Sequence, residues 1–394
     1  MNDVNHININ NSDCTGCRAC EQICPQNAIN MIENFEGFFY PQIDDDKCVD
    51  CGICLKHCHL LNRKVIKNKM YNYPIVYAVK NKDKEILKQS SSGGMFTVVA
   101  NNILEKNGMV FGVAFDENLI AKHVCINSKD DLKNLRGSKY VESDTNNTFK
   151  KVKELLNNNT CVLYTGCPCQ IAGLKVFLGK EYDNLTTIDL ICHGVPSQKI
   201  FLKYIDWKEK KIGNKILSYE FRSKIRGWGL NYKITTEKKV KKGIGELDPY
   251  YYAFLNGLIY RESCYKCKYA NIQRCGDITL ADFWGVEKLH PRFYSNKGVS
   301  LVLINSNNGK RIFDEIIKDI EYMDSTIENA VLMNGNLEEP SKRPKIRNEI
   351  YIKFNNYEFE QFLKKYLEPK NKVKGIVKTI IPNRLKIIVR RIKR

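Results

Sequence analysis

The sequence predicts an α/β body with a mixed sheet, preceded by a small cysteine-rich module. Two observations support this prediction. Strands and helices alternate after residue 74, which is typical of a sheet covered by helices. Eight of the 16 cysteines fall within residues 14–58, where they recur at short spacing. A chain of 394 residues is also long enough to form two or three domains.

Changes in composition along the chain predict where its parts begin and end. The cysteine module occupies the N-terminus, a basic linker ends at a proline, and the body follows in two parts. The predicted divisions are the module 1–62, the linker 63–74, the N-terminal part of the body 75–160, its C-terminal part 161–335, and a basic extension 336–394.

The hydrophobic pattern places the elements of the body in order. Short apolar runs predict strands, and apolar residues three or four positions apart predict helices. The predicted strands are 75–80, 109–115, 162–165, 186–191, 215–222, 229–236, 277–283 and 299–304. The predicted helices are 94–106, one capped by Asp144 or Thr145 and running to about 156, 171–178, one capped by Ser197 and running to about 210, and 309–320.

Charge and hydropathy limit the location and partners that we expect. The formal charge is 63 − 44 = +19, and residues 370–394 hold ten basic residues and no acid. This tail predicts peripheral contact with an anionic membrane surface, with packing on the body as the alternative.

No apolar stretch reaches eighteen residues, the first 13 residues lack the pattern of a signal peptide, and the cysteines cluster, so we expect a cytoplasmic protein. No motif for nucleic-acid binding accompanies the charge, so nucleic acid is not an expected partner.

The N-terminal module carries the spacing of a bacterial two-cluster ferredoxin. Its runs are Cys14-x2-Cys17-x2-Cys20-x3-Cys24 and Cys48-x2-Cys51-x2-Cys54-x3-Cys58. Three closely spaced thiolates hold one 4Fe–4S cluster, and the fourth reaches the other cluster. The predicted ligands are therefore Cys14, Cys17, Cys20 and Cys58 for cluster one, and Cys48, Cys51, Cys54 and Cys24 for cluster two. Zinc is the alternative metal. The second run ends in His59, where this pattern usually has proline, and we interpret His59 as a neighbour of the cluster and not as a ligand.

Five segments of the body carry longer motifs. They are SSSGGMFT at 90–97, LRGSKYVESD at 135–144, YTGCPCQIAGLKVFLGK at 164–180, IDLICHGVPS at 188–197 and CYKCKYANIQRCGDITLADFWG at 264–285. Together with the module they resemble the beta subunit of coenzyme F420 hydrogenase/dehydrogenase, a family of iron–sulfur flavoproteins. The resemblance implies FAD beside an iron–sulfur cluster, and a hydride carrier such as the deazaflavin coenzyme or an organic substrate. Related proteins supply electrons to partner enzymes, and others occur with enzymes of polysaccharide synthesis.

The candidate flavin residues lie in three of these motifs. Small residues at the start of the helix 94–106 offer backbone N–H groups to an anion, although an ordinary helix cap would have the same composition. The motif at 135–144 adds cationic donors and an aromatic face, and the motif at 264–285 adds a carboxylate. The candidates are Ser91, Ser92, Gly93, Gly94, Arg136, Gly137, Ser138, Lys139, Tyr140 and Asp282. A flavin accepts a hydride as an electron pair and can pass the electrons on singly to clusters.

A third cluster is predicted in the body. Cys169 and Cys192 follow successive predicted strands, and loops at the carboxyl edge of a sheet are where ligands gather. Cys264 and Cys267 form a C-x2-C pair, and the resemblance points to the same four residues. Cys167 and Cys275 are the rival ligands, and zinc is the rival metal.

Three functions compete on this sequence. The leading one is an FAD- and iron–sulfur-dependent oxidoreductase that relays electrons between its clusters and a hydride carrier or an organic substrate. The alternative is a non-catalytic electron-transfer subunit that docks on a redox partner protein. The third is a zinc-stabilised scaffold for polysaccharide assembly. No residue is singled out as catalytic.

Overall fold

The computed structural model describes residues 7, 9–62 and 70–369. Its strands are β1 (Ile29–Glu33), β2 (Phe39–Ile43), β3 (Met70–Asn81), β4 (Met109–Phe115), β5 (Ala121–Ile126), β6 (Val162–Gly166), β7 (Leu185–Leu190), β8 (Ile216–Glu220), β9 (Asn231–Thr236), β10 (Val240–Ile244), β11 (Ile278–Asp282), β12 (Ser300–Ser306) and β13 (Ile320–Ser325). Its α-helices are α1 (Ala19–Ile23), α2 (Ile53–Lys56), α3 (Lys84–Gln89), α4 (Met95–Glu105), α5 (Leu132–Leu135), α6 (Thr148–Asn157), α7 (Pro168–Leu178), α8 (Gln198–Ile212), α9 (Pro249–Leu255), α10 (Val286–Leu289), α11 (Asn307–Glu315), α12 (Ile327–Leu332), α13 (Arg347–Asn356) and α14 (Phe359–Phe362).

An eight-stranded mixed sheet forms the centre of the body. Its strand order is β13-β3-β12-β11-β7-β6-β4-β5. The four inner strands β11, β7, β6 and β4 run parallel, and the remaining neighbours pair antiparallel. A separate antiparallel sheet has the order β10-β9-β8, and β1 pairs with β2 in the module. The predicted class, a mixed-sheet α/β body after a ferredoxin-like module, is confirmed.

Both faces of the central sheet are buried, and the sequence of its strands shows why. Along β3 the side chains alternate between two separate apolar clusters. Tyr77 and Val79 pack in the cluster that contains α4, while Val76 and Ala78 face the opposite cluster. A sheet that is covered on both faces reads as a continuous apolar run, which is how these strands were predicted.

The structure corrects the predicted linker. β3 begins at Met70, so residues 70–74 are strand residues, and residues 63–69 lie outside the described part of the chain. Pro74 signalled a linker because proline weakens a strand ladder. Here the register of β3 against β12 shifts between Ile304 and Ser306, and a bulge of this kind is one of the places where a strand tolerates proline.

The start of one helix was also predicted wrongly. α6 begins at Thr148, after an Asn147 N-cap, and not after Asp144 or Thr145. The Asp144 carboxylate instead forms an ion pair of 2.7 Å with Arg18 of the module. The Thr145 hydroxyl donates to the carbonyl oxygen of Cys17 at 3.1 Å. Both side chains therefore hold the module against the body.

Several elements escaped the sequence analysis. β5 and β13 are edge strands that carry polar and charged residues, which interrupt the apolar pattern and protect the edges of the sheet. β10 and α9 were missed as well.

In the predicted basic extension, α13 and α14 contribute Ile350, Tyr351 and Phe362 to the largest apolar cluster of the body. The chain is therefore part of the folded body through residue 369, and the tail 370–394, with its predicted membrane contact, lies outside the described residues. Within the described ranges, no helix is long and apolar enough to cross a membrane.

Candidate redox site

Each predicted set of four module thiols lines its own cavity. The empty space beside the predicted cluster-two ligands is about 350 Å³ and that beside the predicted cluster-one ligands is about 340 Å³, and both figures include space that is open to solvent. Gly16 and Gly52 adopt positive φ of 68° in the two cysteine loops, a conformation in which glycine is not strained. The cavities are lined by Cys24, Cys48, Cys51 and Cys54, and by Cys14, Cys17, Cys20 and Cys58, respectively.

The chemistry of these cavities fits an iron–sulfur cluster. Burial is the main cause that raises the pKa of the Cys17 thiol to about 12, and the neighbouring Cys14 and Cys58 raise it further. Four such thiols become thiolates together only beside a cationic centre. Among the described residues, no three side chains of the metal-binding types lie close enough to share one single ion.

Five cysteines of the body gather at the carboxyl edge of two neighbouring parallel strands. Cys167 and Cys169 follow β6, and Cys192 follows β7. The Sγ atoms of Cys167 and Cys192 are 3.7 Å apart. Burial raises the pKa of the Cys169 thiol, and nearby Cys267, Cys192 and Cys264 raise it further. The structure thus brings together the four predicted ligands and the rival Cys167.

Cys275, the other rival, is engaged elsewhere. Its buried thiol lies 3.1 Å from the carbonyl oxygen of Pro168 and 3.3 Å from Oδ2 of Asp189. The Asp189 carboxylate also accepts a hydrogen bond from the backbone N–H of Gly276 at 3.0 Å. These contacts give Cys275 a role in joining α7 to the strand that carries Asp189.

The thiols predicted to hold cluster one lie directly beside the helix that carries cysteines of the body. Helix α7 begins at Pro168, between Cys167 and Cys169, and carries Gly173 one turn later. A Cβ added at Gly173 would lie 2.9 Å from Sγ of Cys17 and 3.0 Å from its Cβ. Glycine at this position therefore lets a predicted cluster-one ligand rest on the helix that presents Cys169.

A side chain at position 173 should push the predicted cluster-one thiols away from α7. We expect Gly173→Ala to force Cys17 or α7 to move, because a Cβ does not fit within 3.0 Å of its neighbours, at a cost of about 1–3 kcal/mol in the free energy of unfolding. Electron transfer from the module to the body should slow in the same variant. The matched control is Gly335→Ala, since a Cβ at Gly335 meets no atom within 4 Å. Equal stability and equal transfer rates in the two variants would contradict the predicted contact.

Two buried arginines join the module to the body. Arg261 donates from Nε to the carbonyl oxygen of Cys14 at 2.9 Å and pairs with Glu142 at 2.8 Å. Arg347 binds both carboxylate oxygens of Glu36, at 2.7 and 2.6 Å. Both arginine side chains are at most 2% exposed. The module is therefore held in a fixed position on the body.

Four of the predicted flavin residues meet around Arg222. The Ser91 hydroxyl oxygen accepts hydrogen bonds from the backbone N–H of Ser138 at 2.9 Å and from its hydroxyl at 3.1 Å. The buried Arg222 guanidinium lies 3.2 Å from the Tyr140 hydroxyl oxygen and donates to Oδ1 of Asp282 at 2.9 Å. Arg222 also donates to the carbonyl oxygen of Ser91 at 3.5 Å, so these residues form one connected polar cluster, which we call the Arg222 cluster.

Aromatic and cationic side chains that the sequence analysis missed complete the Arg222 cluster. Trp228 donates to Asp282 at 2.6 Å and stacks on Trp284 with ring centroids 5.0 Å apart. The Lys224 ammonium donates to the carbonyl oxygens of Leu87 and Ser92, and burial lowers its pKa to about 7. No sequence motif distinguished Arg222, Lys224 and Trp228, because they lie in an irregular segment between β8 and β9. Trp284 lies in the motif at 264–285 but was not among the candidates.

Of the six other flavin candidates, all but Gly137 have structural contacts. A Cβ at Gly93 would lie 2.2 Å from the carbonyl oxygen of Val79, so the glycine packs against β3. Gly94 caps α4 in the left-handed region, and Ser92 donates to the carbonyl oxygen of Val299 at 2.8 Å. Arg136 donates to Gln89 at 2.7 Å, and the Lys139 ammonium caps the end of α5 at three carbonyl oxygens. A Cβ at Gly137 would meet no atom within 4 Å, so this residue borders open space.

Comparison with known proteins covers both the module and the body. The C-terminal profile of the coenzyme F420 hydrogenase/dehydrogenase beta subunit matches residues 160–329, and the N-terminal profile matches residues 76–150. A 4Fe–4S dicluster domain matches residues 13–60.

Curated relatives cover parts of the chain. A subunit of the F420H2 dehydrogenase of Methanosarcina mazei is 23% identical over 202 residues, which are 48% of this chain and 56% of that protein. An uncharacterized protein of Methanocaldococcus jannaschii is 24% identical over 199 residues, 44% and 54% of the two chains. One component of the ion-translocating oxidoreductase complex of Methanosarcina acetivorans is 42% identical over 45 residues, 11% and 15% of the two chains. The chain thus spans about half the length of the first of these relatives.

Among solved structures, a chain of the F420-reducing NiFe hydrogenase complex from Methanosarcina barkeri aligns with a TM-score of 0.46 and 18% identity. The alignment covers 73% of this chain and 92% of that chain. The two family profiles together span most of the body, and the resemblance that the five motifs indicated is confirmed. The chain belongs to the family of coenzyme F420 hydrogenase/dehydrogenase beta subunits and carries an additional 4Fe–4S dicluster domain at its N-terminus.

Proposed function

We propose that this protein relays electrons between a redox partner protein and a hydride carrier, through three 4Fe–4S clusters and FAD. The observation that supports this most is the contact between Cys17 and Gly173. It places the module thiols of cluster one against the helix that begins between two cysteines of the body. An electron that enters cluster one could therefore pass directly to the proposed cluster of the body.

The proposed order of the relay follows the exposure of the cysteines. In cluster two, Cys51 is exposed, and the side chain of Val49 beside it is 62% exposed. We assign cluster two to the surface, where a partner protein exchanges electrons. Cluster one follows it, and a third cluster held by Cys169, Cys192, Cys264 and Cys267 lies in the body. Iron in these clusters changes its charge by one electron at a time, whereas zinc has no redox chemistry.

FAD is proposed for the Arg222 cluster. The hydroxyls of Ser91 and Ser138 offer polar groups, and Tyr140, held by the Arg222 guanidinium, offers the aromatic ring on which a flavin nucleotide could pack. Gly137 borders open space beside them. When bound, FAD would supply the step between hydride chemistry and single-electron transfer. The residues of the chain would bind and orient it.

The hydride carrier that we propose first is the deazaflavin coenzyme. The curated relative from Methanosarcina mazei is named as part of an F420H2 dehydrogenase, and the family profiles carry the same coenzyme in their names. Another organic hydride donor is the alternative substrate. The link to polysaccharide synthesis stays a prediction from the resemblance.

The Asp282→Asn variant tests the flavin site. Asparagine cannot balance the charge of the buried Arg222 guanidinium, so the Arg222 cluster should rearrange. After anaerobic purification, we expect the variant to lose most of its bound flavin and to keep its iron and sulfide. The control is Asp314→Asn, which removes an exposed carboxylate paired with Lys310. Full flavin content in Asp282→Asn would contradict the proposed site.

The same preparation separates the competing functions. A relay shows bound flavin that a hydride donor reduces, followed by reduction of the clusters. A non-catalytic electron-transfer subunit shows clusters that accept electrons from a reduced protein but not from any hydride donor. A zinc scaffold shows no visible absorbance.

A further inference from the structure

His59 departs from the usual ferredoxin pattern, and the structure shows where its side chain lies. Proline usually follows the fourth cysteine of such a run, whereas here His59 follows Cys58. Its side chain is buried, with 1% of its surface exposed. It therefore occupies the boundary between the module and the body, and not the solvent face of the module.

Both ring nitrogens of His59 have hydroxyl partners. Nε2 lies 2.9 Å from the Thr15 hydroxyl, next to Cys14 in the cluster-one loop. Nδ1 lies 2.5 Å from the Tyr269 hydroxyl, two residues after Cys267 in the body. A neutral imidazole donates from one nitrogen and accepts at the other, and each hydroxyl can take either role. The three side chains thus form a continuous hydrogen-bonded bridge.

The body end of this bridge is anchored to the strand that leads to Cys192. The Arg274 guanidinium donates to the carbonyl oxygen of Tyr269 at 2.7 Å and to that of Leu190 at 2.8 Å. Arg274 is buried and pairs with the buried Asp189 at 3.3 Å. The bridge therefore connects the Cys14 and Cys58 loops of cluster one with the Cys267 turn and the Cys192 strand end.

We propose that His59 is a positioning residue that fixes cluster one relative to the body cluster, through the bridge Thr15–His59–Tyr269. The inference rests on the proposed relay. Proline at this position has no side-chain donor or acceptor, so it could not join the fourth-cysteine turn to a centre outside the module. A ferredoxin that works alone has no centre outside its two clusters to align, whereas the body of this chain carries the proposed third cluster.

The Tyr269→Phe variant of the full chain tests this role. It removes only the hydroxyl that meets Nδ1 and keeps the aromatic ring. The matched control is Tyr182→Phe, which removes a hydroxyl bonded to Asn157 at 3.2 Å on the surface. Reduction of the module is started by a flash-generated viologen radical, and rapid-freeze EPR follows the signals of the module and body clusters.

We expect Tyr269→Phe to slow the appearance of the body signal about fivefold, with unchanged iron content and midpoint potentials. The loss of one buried hydrogen bond changes an equilibrium constant by about this factor. His59→Ala should slow it at least as much. The double variant His59→Ala/Tyr269→Phe should be no slower than His59→Ala, since both changes remove the same bond.

Each outcome of this experiment decides a different claim. If Tyr269→Phe transfers electrons at the rate of Tyr182→Phe, the bridge has no positioning role. Additive slowing in the double variant would also overturn it. If the wild-type body signal never follows the module signal, the relay fails, and the inference fails with it.

Discussion

We expect the Cys192→Ser and Cys267→Ser variants to lose about four irons per chain and to stop electron flow between the module and the flavin. A serine hydroxyl is a poor ligand for iron compared with a thiolate, so one replacement opens the cluster. Both thiols lie in the group that also raises the pKa of Cys169. Reduction of the flavin by a hydride donor should survive, because the flavin site that we propose is the Arg222 cluster and not the cysteine group. Iron analysis and EPR of the anaerobically purified full chain measure both effects.

Two further cysteine variants make this prediction specific. Cys125→Ser changes a half-buried thiol on β5 that lies outside both cysteine groups, and it should keep all of the iron. Cys167→Ser tests the remaining rival, whose sulfur lies 3.7 Å from that of Cys192. Iron loss in Cys167→Ser, with full iron in Cys267→Ser, would reassign the site.

Glu36→Gln should loosen the module from the body. The neutral amide leaves the buried Arg347 guanidinium without its bidentate carboxylate, and such a loss costs about 3–5 kcal/mol in the free energy of unfolding. Because Glu262 lies 3.3 Å from Arg347 and still pairs with it, we expect the loss of stability to be near the lower of these two values. We expect the cluster absorbance to disappear at a lower urea concentration, with a clear shift of the midpoint.

The matched control for Glu36→Gln is Glu85→Gln. Glu85 is exposed and lies 3.7 Å from Lys88 on the same helix, so its replacement should change stability by less than about 0.5 kcal/mol. Similar urea midpoints for the two variants would show that the ion pair between Glu36 and Arg347 does not hold the module.

Local spacing made the module and the edge of the sheet predictable. The doubled C-x2-C-x2-C-x3-C run specified which four thiols share each cavity, because the fourth cysteine of one run must turn toward the other. The alternation of strands and helices placed Cys169 and Cys192 after neighbouring parallel strands, as β6 and β7 show. Both inferences depend on residues that are close together in the sequence.

Contacts between distant segments could not be predicted in the same way. Arg222 meets Asp282 across 60 residues, and Arg261 meets Cys14 across 247 residues. Arg222 ends a predicted strand and Arg261 follows a short apolar run, and no motif marks either of them, so a surface position was equally consistent with the sequence. Whether a charged side chain is buried depends on the oppositely charged or hydrogen-bonding residue beside it, and only the folded structure shows which residue that is. His59 shows the same limit, since its departure from the pattern was visible but its Tyr269 partner was not.

The most direct test of the relay is a potentiometric EPR titration of the intact chain, purified without oxygen. We expect about twelve irons per chain, as three clusters of four, and three one-electron signals. We also expect magnetic interaction between the signals of cluster one and the body cluster, because Cys17 rests on the helix that follows Cys167. About eight irons with two signals, or a body site filled with zinc, would contradict the relay.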